Sequence, residues 1–216
     1  MQLARRGLYA IVDTALTARE CRMEYANAVL AGGAAVLQYR DKSTDTARRK
    51  DEAQALRDSC RAHDALFIVN DDVELARETN ADGVHLGRDD MSPMDARTML
   101  GSEKIIGVSC YNDMARARLA KTHGADYVAF GSFFPSQTKP DAVRANVGLI
   151  EMARNELDMI IVAIGGITTQ NAGPLVETGV DLIAVIRDLA EADDPRAKAE
   201  SFTRVFIENE KAARIR

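Results

Sequence analysis

Acidic side chains follow two short apolar runs of this sequence. Asp71 and Asp72 end the first run, and Asp89 and Asp90 come just after the second, Gly83-Val-His-Leu-Gly87. One or two aspartates, completed by substrate phosphates and water, form the usual Mg²⁺ site. Asp72 and Asp89 could instead cap helices, because aspartate is a favoured N-cap residue. We therefore predict Asp71 and Asp90 as the ligands of a magnesium ion.

A cationic segment, Gln38-Tyr-Arg-Asp-Lys42, follows another apolar run. In a strand, alternation sends Gln38, Arg40 and Lys42 to one side and Tyr39 to the other. Two cations and an amide on one side suit a polyanion such as diphosphate. A solvated helix start with a local Arg–Asp pair is the alternative.

Three residues with reactive side chains lie in or at the end of apolar runs: His85, Ser109 and Cys110. A serine at a strand end can bind a phosphate or its own backbone, and its type cannot decide which. No His–Asp partner pattern marks Ser109 or Cys110 as a nucleophile. A lone strand histidine is more often a hydrogen-bonded core residue than a catalyst. The sequence therefore predicts no nucleophile–base pair.

Two connections in the C-terminal half, one with a glycine pair and one unusually long, are candidates for binding a ligand. Gly165-Gly166 lets backbone N–H groups approach an anion, and we expect Thr168-Thr169 to open a helix just after it. The connection from Gly131 to Asn146 is long for a compact domain, and such loops are often lids or binding loops. A disordered insertion is the alternative, but Phe133-Phe134 favours a functional loop.

Short apolar runs alternate with amphipathic stretches along the whole chain, which predicts strands alternating with helices. The runs are Leu8–Asp13, Val36–Arg40, Leu66–Asn70, Gly83–Gly87, Ile105–Cys110, Tyr127–Gly131, Ile160–Ile167 and Leu182–Arg187. Thr44–Arg61 is the clearest helix, and Ser92-Pro93 and Asn112-Asp113 are predicted to open two others.

Eight such units are the number that closes a parallel barrel. We predict an α/β fold, a single (β/α)₈ TIM barrel spanning residues 1–216 as one domain, with an open doubly wound sheet as the competing layout. In such a barrel the active site lies at the carboxyl ends of the strands, where the polar residues of this sequence gather.

Composition limits the classes of function. The chain has 216 residues, 46% of them hydrophobic, and a formal net charge of -5, which argues against a dedicated nucleic-acid binder but not against anionic small molecules. It lacks an apolar stretch of membrane-spanning length. We therefore expect no membrane partner. Cys21, Cys60 and Cys110 form no CxxC pair, so we expect reduced thiols and a cytoplasmic location. Assembly into a homo-oligomer is left open.

The joint order of these motifs resembles the thiamine phosphate synthase family along nearly the whole chain. The matching segments are Leu8–Asp13, Gln38–Lys42, Ile68–Asp72, Gly83–Gly87 with Asp89-Asp90, Gly107–Ser109, Gly124–Pro135, Ser136–Lys139 and Ala163–Ile167. Each segment is short, but their order, one per strand end, is highly specific. The resemblance implies a Mg²⁺-dependent transferase that joins a pyrimidine diphosphate to a thiazole phosphate by a dissociative reaction.

The resemblance also implies roles for individual residues. Asp71 and Asp90 would ligate Mg²⁺, and Arg40, Lys42, Ser109 and Lys139 would be catalytic. The substrate-binding residues would be Gln38, Tyr39, Arg40, Asp41, Lys42, Asn70, Ser109, Ser136, Gln137, Thr138, Lys139, Gly166, Ile186 and Arg187. We expect the loop that carries Lys139 to close over the substrates.

Two positions depart from the family pattern. Arg88 stands where the family usually has Gln, and Arg187 stands where a Ser is usual. Arginine also binds phosphate, so only the local contacts at Arg187 are in doubt. A thiazole-phosphate isomerase, which would not need the Mg²⁺ pair, and a noncatalytic module that binds thiamine phosphate are the alternative functions.

Overall fold

Eight parallel strands close into one barrel. The structure, a computed structural model, describes residues 6–135 and 143–215. The strands are neighbours in chain order, and the last strand pairs with the first, with Gly7 opposite Leu182. This closure confirms the TIM barrel and excludes the open sheet.

The strands and helices of the described residues alternate until the C-terminal end. The strands are β1 (Gly7–Asp13), β2 (Val36–Arg40), β3 (Leu66–Asn70), β4 (Gly83–Leu86), β5 (Ile105–Tyr111), β6 (Tyr127–Phe130), β7 (Ile160–Ile164) and β8 (Leu182–Val185). The helices are α1 (Arg22–Ala31), α2 (Thr46–Ala62), α3 (Val73–Glu78), α4 (Pro93–Leu100), α5 (Met114–Thr122), α6 (Val147–Leu157), α7 (Ala172–Glu177), α8 (Arg187–Ala190) and α9 (Pro195–Ile215).

Polar caps start several of these helices. Asp45 accepts the Arg48 N–H, so α2 begins at Thr46, two residues later than predicted. Ser92 and Asp113 cap α4 and α5, as the sequence indicates. Asp72 caps α3 by accepting the Leu75 N–H, which settles its role in favour of the helix.

The prediction that Thr168-Thr169 opens a helix is wrong. Helix α7 begins only at Ala172, because Asn171 organises a turn before it. The Asn171 side chain accepts the Thr168 N–H at 2.8 Å and donates to the Gly166 carbonyl at 3.0 Å. The glycine pair after β7 therefore precedes a turn and not the first turn of α7.

Side chains of the strands alternate between two buried layers. One set fills the barrel interior, including Tyr9, Ile68 and Tyr127. The other set, including Leu37 and Phe67, packs against the surrounding helices and forms the larger core. This two-sided burial explains why the strands are almost continuously apolar in sequence.

Helix α9 covers α1 and β1 from outside the barrel. Phe202 and Phe206 of α9 are buried, and Thr203 Oγ1 donates to the Gly32 carbonyl at 3.0 Å. A Cβ at Gly32 would lie 2.6 Å from the Ala199 Cβ, so only glycine allows this close approach.

Within the described part of the chain, no helix is long and apolar enough to cross a bilayer. The three cysteines are unpaired.

Candidate active site

A cavity of about 610 Å³ opens at the carboxyl ends of the barrel strands. This is the end of a TIM barrel where active sites occur. Most of the predicted site residues that the structure describes line it. They are Gln38, Arg40, Lys42, Asn70, Asp71, Asp90, Ser109, Gly166, Ile186 and Arg187. These residues are spread over 150 positions of the sequence, and the strand ends bring them together in one site.

Two carboxylates meet on one side of this cavity. Asp90 hydrogen-bonds to Asp71, and burial together with the charge of Asp71 raises the pKa of Asp90 above its usual value. The Gly87 N–H donates to Asp90 at 2.7 Å, and Lys42 pairs with Asp71. Adjacent carboxylates cannot both ionise freely without a proton or a cation between them.

This donor set fits a magnesium ion better than a softer metal. Asp71 and Asp90 offer only oxygen ligands, and Mg²⁺ is usually held by one or two carboxylates together with phosphate and water. No cluster of three or more His, Cys, Asp or Glu side chains suited to a metal occurs in residues 6–135 and 143–215. The two aspartates would thus leave most ligand positions to a substrate and water.

The backbone at Asp71 supports its functional role. Asp71 adopts a left-handed conformation with φ of 63°, while its N–H still bonds to the His85 carbonyl at 2.8 Å. Asn70 Nδ2 donates to the Asp71 carboxylate at 2.6 Å. Residues held in sparsely populated backbone regions concentrate at functional sites. The strained turn and the amide together aim Asp71 at the cavity.

Arg40 is held in place by a buried acid. Its guanidinium donates to Asp13 at 2.6 Å, and Asp13 is only 3% exposed. The Ala15 N–H also donates to Asp13, at 3.0 Å. A guanidinium has five donors, so Arg40 can keep this pair and still donate to an anion in the cavity.

Tyr39 and Asp41, which are predicted among the substrate-binding residues, do not line this cavity. Tyr39 points into the layer between strands and helices, where its hydroxyl bonds to Glu52 at 2.7 Å and to Asp41 at 3.0 Å. Arg48 donates to Asp41 at 2.7 Å. Burial alone would raise the pKa of Asp41, but hydrogen bonds from Ser43, Tyr39 and Arg48 outweigh it and lower the pKa to about 2. These residues fix the turn that carries Lys42.

The cavity floor holds a chain of hydrogen bonds. Gln38 Nε2 donates to the Tyr9 hydroxyl at 2.7 Å, and the Tyr9 and Tyr127 hydroxyls are 2.9 Å apart. His85 bonds to Tyr127 through Nδ1 at 2.9 Å and to Ser109 Oγ through Nε2 at 2.8 Å. The sequence does not predict this contact between His85 and Ser109, because β4 and β5 bring together residues that are 24 positions apart.

Gly107 makes room for this floor. A Cβ at Gly107 would lie 1.9 Å from the Tyr127 Cζ atom, which no side chain could tolerate.

Cys110 faces the outer layer, away from the cavity, and burial raises its pKa to about 12. A thiol with that pKa stays protonated at neutral pH, so Cys110 is no nucleophile.

The glycine pair after β7 lies under the start of the long connection. Phe134 N–H donates to the Gly165 carbonyl at 3.0 Å, and a Cβ at Gly166 would lie 2.3 Å from the Pro135 carbonyl oxygen. Ser132 bonds to Val143 through its N–H, so the two ends of the connection meet. Ser136, Gln137, Thr138 and Lys139 lie outside the described residues.

The comparison of the whole sequence with family models decides the classification. Residues 8–189 match the model described as thiamine monophosphate synthase. The chain belongs to the thiamine monophosphate synthase family. This confirms the resemblance inferred from the strand-end motifs.

Individual members of the thiamine monophosphate synthase family agree over nearly the full length. The chain is 49% identical to the thiamine-phosphate synthase of Nitrosococcus oceani over 209 residues, covering 95% of both chains. It is 49% identical to that of Azoarcus sp. over 201 residues, covering 93% of this chain and 97% of the other. The solved thiamine phosphate pyrophosphorylase of Pyrococcus furiosus superposes with a TM-score of 0.86 at 35% identity, covering 94% and 96%.

The two departures from the usual pattern of this synthase family lie on the cavity rim. The Arg88 guanidinium lies 4.7 Å from the centre of the Tyr111 ring, within cation–π distance. Arg187 begins α8, pairs with Glu191, and has a buried Nε with no hydrogen-bond partner in the described structure. Both side chains therefore add positive charge beside the cavity.

Sequence reasoning missed four residues that shape the synthase-family site. Tyr9 and Tyr127 form its floor, and Tyr111 and Ser132 line its wall. Tyr9 lies two positions before Ile11 and shares its inward face, which strand alternation could have revealed. Tyr111 has a φ of 57°, which only the structure shows.

Proposed function

We propose that this chain makes thiamine phosphate. It would join 4-amino-2-methyl-5-(diphosphooxymethyl)pyrimidine to 4-methyl-5-(2-phosphooxyethyl)thiazole and release diphosphate, with Mg²⁺ as cofactor. The observation that carries the proposal is the Asp71–Asp90 pair beside Lys42 and Arg40, in the cavity of a chain from the synthase family. Paired carboxylates next to cations suit a diphosphate that brings a divalent ion with it.

The diphosphate would lie between β2, β3 and β4. Arg40 and Lys42 would bind its oxygens, and Asn70 and Ser109 would add neutral donors from the neighbouring strand ends. Asp71 and Asp90 would hold Mg²⁺. When bound, the ion supplies positive charge that offsets the charge growing on the departing diphosphate.

The proposed reaction is dissociative. The C–O bond between the pyrimidinylmethyl carbon and diphosphate breaks, and its electron pair leaves with the diphosphate. The cation that remains is stabilised by the amino group of the pyrimidine. The thiazole nitrogen then donates its lone pair to form the new C–N bond. No proton has to be transferred to or from the protein, so a general base is not required.

The cavity suits such a cation because apolar side chains line part of it and the polar groups of its floor already hold hydrogen bonds. Ile11, Ala129 and Val162 line the interior, and the tyrosine hydroxyls are engaged in hydrogen bonds. Excluding water would prevent capture of the cation before the thiazole reaches it. Thiazole phosphate binding by Ser136, Thr138 and Gly166 remains a prediction, as do substrate binding by Gln137, Ile186 and Arg187 and diphosphate binding by Lys139.

The direct test mixes both substrates with the protein and Mg²⁺ and measures thiamine phosphate and diphosphate. We expect both products in equal amounts, and activity reduced on the order of 100-fold or more in EDTA, in Asp71→Ala and in Asp90→Ala. Circular dichroism would show that the two variants still fold. Full turnover in EDTA would contradict the magnesium proposal, and failure to form product under any condition would contradict the function.

The order of bond breaking can be tested separately. Replacing the pyrimidine methyl group by trifluoromethyl withdraws electrons, so forming the cation becomes costlier. We expect the single-turnover rate to fall by roughly two or more orders of magnitude, because each factor of ten is about 1.4 kcal/mol in the barrier. An unchanged rate would favour direct displacement by the thiazole nitrogen.

A further inference from the structure

We propose that Tyr9, Tyr127 and His85 are positioning residues that make Ser109 a hydrogen-bond donor toward the diphosphate of the substrate. The inference rests on the proposed function for the identity of that substrate. It assigns a role to Tyr9, Tyr127 and His85 in the floor of the cavity, which the proposed reaction does not otherwise use.

The floor is a continuous series of polar groups inside an apolar barrel. It runs from Gln38 through Tyr9, Tyr127 and His85 to Ser109, and each contact is between 2.7 and 2.9 Å long. The first four residues are at most 7% exposed. Buried polar groups are costly unless each is satisfied, so the protons in such a series are ordered rather than random.

Gln38 fixes the direction of this series. Its Nε2 donates to the Tyr9 oxygen, and either phenol could donate in the Tyr9–Tyr127 contact. In the proposed series the Tyr9 proton goes to the Tyr127 oxygen, because it would otherwise have no acceptor among the described contacts. Among the described contacts, the acceptor left for the Tyr127 proton is His85 Nδ1. A neutral imidazole that accepts at Nδ1 carries its proton on Nε2.

The end of the series is Ser109. The Nε2–H of His85 donates to Ser109 Oγ, so the Ser109 proton is free to point into the cavity. Diphosphate oxygens are acceptors only, and a donor therefore matches them while a lone pair would repel them. The opposite direction would make Ser109 donate to His85, as in a nucleophile–base pair, and would leave only lone pairs toward the ligand.

The two phenols can sustain the proposed direction because they keep their protons. Burial raises the pKa of Tyr9 and Tyr127 well above the usual range. An imidazolium at His85 would occupy both ring nitrogens as donors and would leave one phenol proton without an acceptor in this series. The neutral Nε2–H tautomer is the one that gives both phenol protons an acceptor among the described contacts.

The tautomer is measurable without any substrate. Nuclear magnetic resonance of protein with isotope-labelled histidine distinguishes a protonated from an unprotonated ring nitrogen, and His85→Gln identifies the His85 signals among the three histidines. We expect a proton on Nε2 and none on Nδ1. A proton on Nδ1, alone or in addition to one on Nε2, would overturn the proposal.

A double-mutant cycle tests whether the series acts through Ser109. Tyr127→Phe keeps the ring but removes the donor to His85. We expect the single-turnover rate constant to fall about 10- to 100-fold. In a Ser109→Ala background the same substitution should change kcat by less than about 3-fold. Equal effects in both backgrounds would overturn the role assigned to Ser109.

Tyr25→Phe is the matched control. Tyr25 is also a buried tyrosine, but it lies in α1, outside the cavity, and its hydroxyl has no hydrogen-bond partner in the described structure. Its removal should leave kcat within about 2-fold, because no hydrogen bond is lost. A fall matching that of Tyr127→Phe would show that any buried hydroxyl deletion harms the barrel, and would overturn the specific role.

Binding of inorganic diphosphate with Mg²⁺ separates this inference from the proposed function. Calorimetry should show weaker binding to Ser109→Ala and Tyr127→Phe than to the wild type and Tyr25→Phe, by roughly 10-fold. If diphosphate binds in this pattern but no thiamine phosphate forms, the function fails and the positioning role stands. Equal binding by all four proteins would overturn the positioning role even if the synthesis occurs.

Discussion

Asp41 illustrates how strongly a few hydrogen bonds can act on one carboxylate. Its pKa is lowered to about 2 although burial opposes ionisation, because Ser43, Tyr39 and Arg48 all donate to the ionised form. Arg48 in turn binds Glu52, so the carboxylate belongs to a network behind β2. Asp41 thereby holds the turn between β2 and α2 in the shape that presents Lys42.

This arrangement predicts how stability depends on pH. A carboxylate with a lowered pKa stabilises the fold above its unfolded pKa of about 3.9, and that stability is lost as the pH falls toward about 2. Asp41→Asn should therefore cost about 1–2 kcal/mol at neutral pH, and the difference should shrink in acid. Urea denaturation over this pH range measures the difference in unfolding free energy. Asp58→Asn, which breaks an exposed ion pair with Arg57, is the control and should be nearly neutral. A constant difference at all pH values would contradict the linkage.

Strand alternation predicts which side chains of β2 face the cavity. Alternation placed Gln38, Arg40 and Lys42 on the cavity side, and they line it. The same alternation sends Tyr39 to the other side, and Tyr39 does not line the cavity. The contact between His85 and Ser109 could not be predicted, because it depends on the register of β4 and β5 rather than on either sequence segment.

At the scale of elements, the connection after β7 shows how two glycines can decide the shape of a site. Gly165 and Gly166 both have positive φ, of 101° and 64°, and they end β7 three residues before the predicted end. The segment from Ser132 to Pro135 packs directly on them. Apolar composition could not reveal this end, because the residues beyond Gly166 begin with another isoleucine.

Two glycine substitutions, at Gly166 and at Gly173, should differ in their effects. Gly166→Ala places a Cβ 2.3 Å from the Pro135 carbonyl in a left-handed conformation, so we expect a loss of about 1–3 kcal/mol and lower activity. At Gly173 in α7 a Cβ would meet no atom within 4 Å apart from its chain neighbours, but a following Pro174 disfavours helical alanine, so Gly173→Ala should change stability by less than about 1 kcal/mol and leave activity unchanged. Thermal denaturation and product formation measure both. Equal stabilities would argue that Gly166 is not constrained.

The whole molecule depends on closure of its barrel. Strand β1 lies between β2 and β8, and α9 packs over β1 and α1. The sequence predicted this architecture well, because eight apolar runs in regular alternation admit few layouts. It did not predict the packing of α9, because contacts such as Gly32 with Ala199 join distant parts of the chain.

Substitution of Phe202 tests whether α9 and the barrel unfold together. It is fully buried in the same core as the outward faces of the strands. Phe202→Ala should cost about 3–5 kcal/mol, because it removes a large side chain from a packed site. We expect urea unfolding to remain a single transition at a lower midpoint. Ile207→Ala, on an exposed position of the same helix, should change the midpoint little. Separate melting of α9 while the barrel stays intact would contradict this prediction.

The tyrosines of the cavity give the protein a built-in optical signal. The chain has no tryptophan and five tyrosines, so its near-ultraviolet spectrum arises mainly from phenol chromophores. Tyr9, Tyr111 and Tyr127 all line the cavity, and two of them are coupled edge to face, with ring centres 6.2 Å apart. A ligand entering there would change the asymmetric surroundings of more than half of the chromophores. Near-ultraviolet circular dichroism of the unlabelled protein can therefore follow occupancy of the cavity by titration.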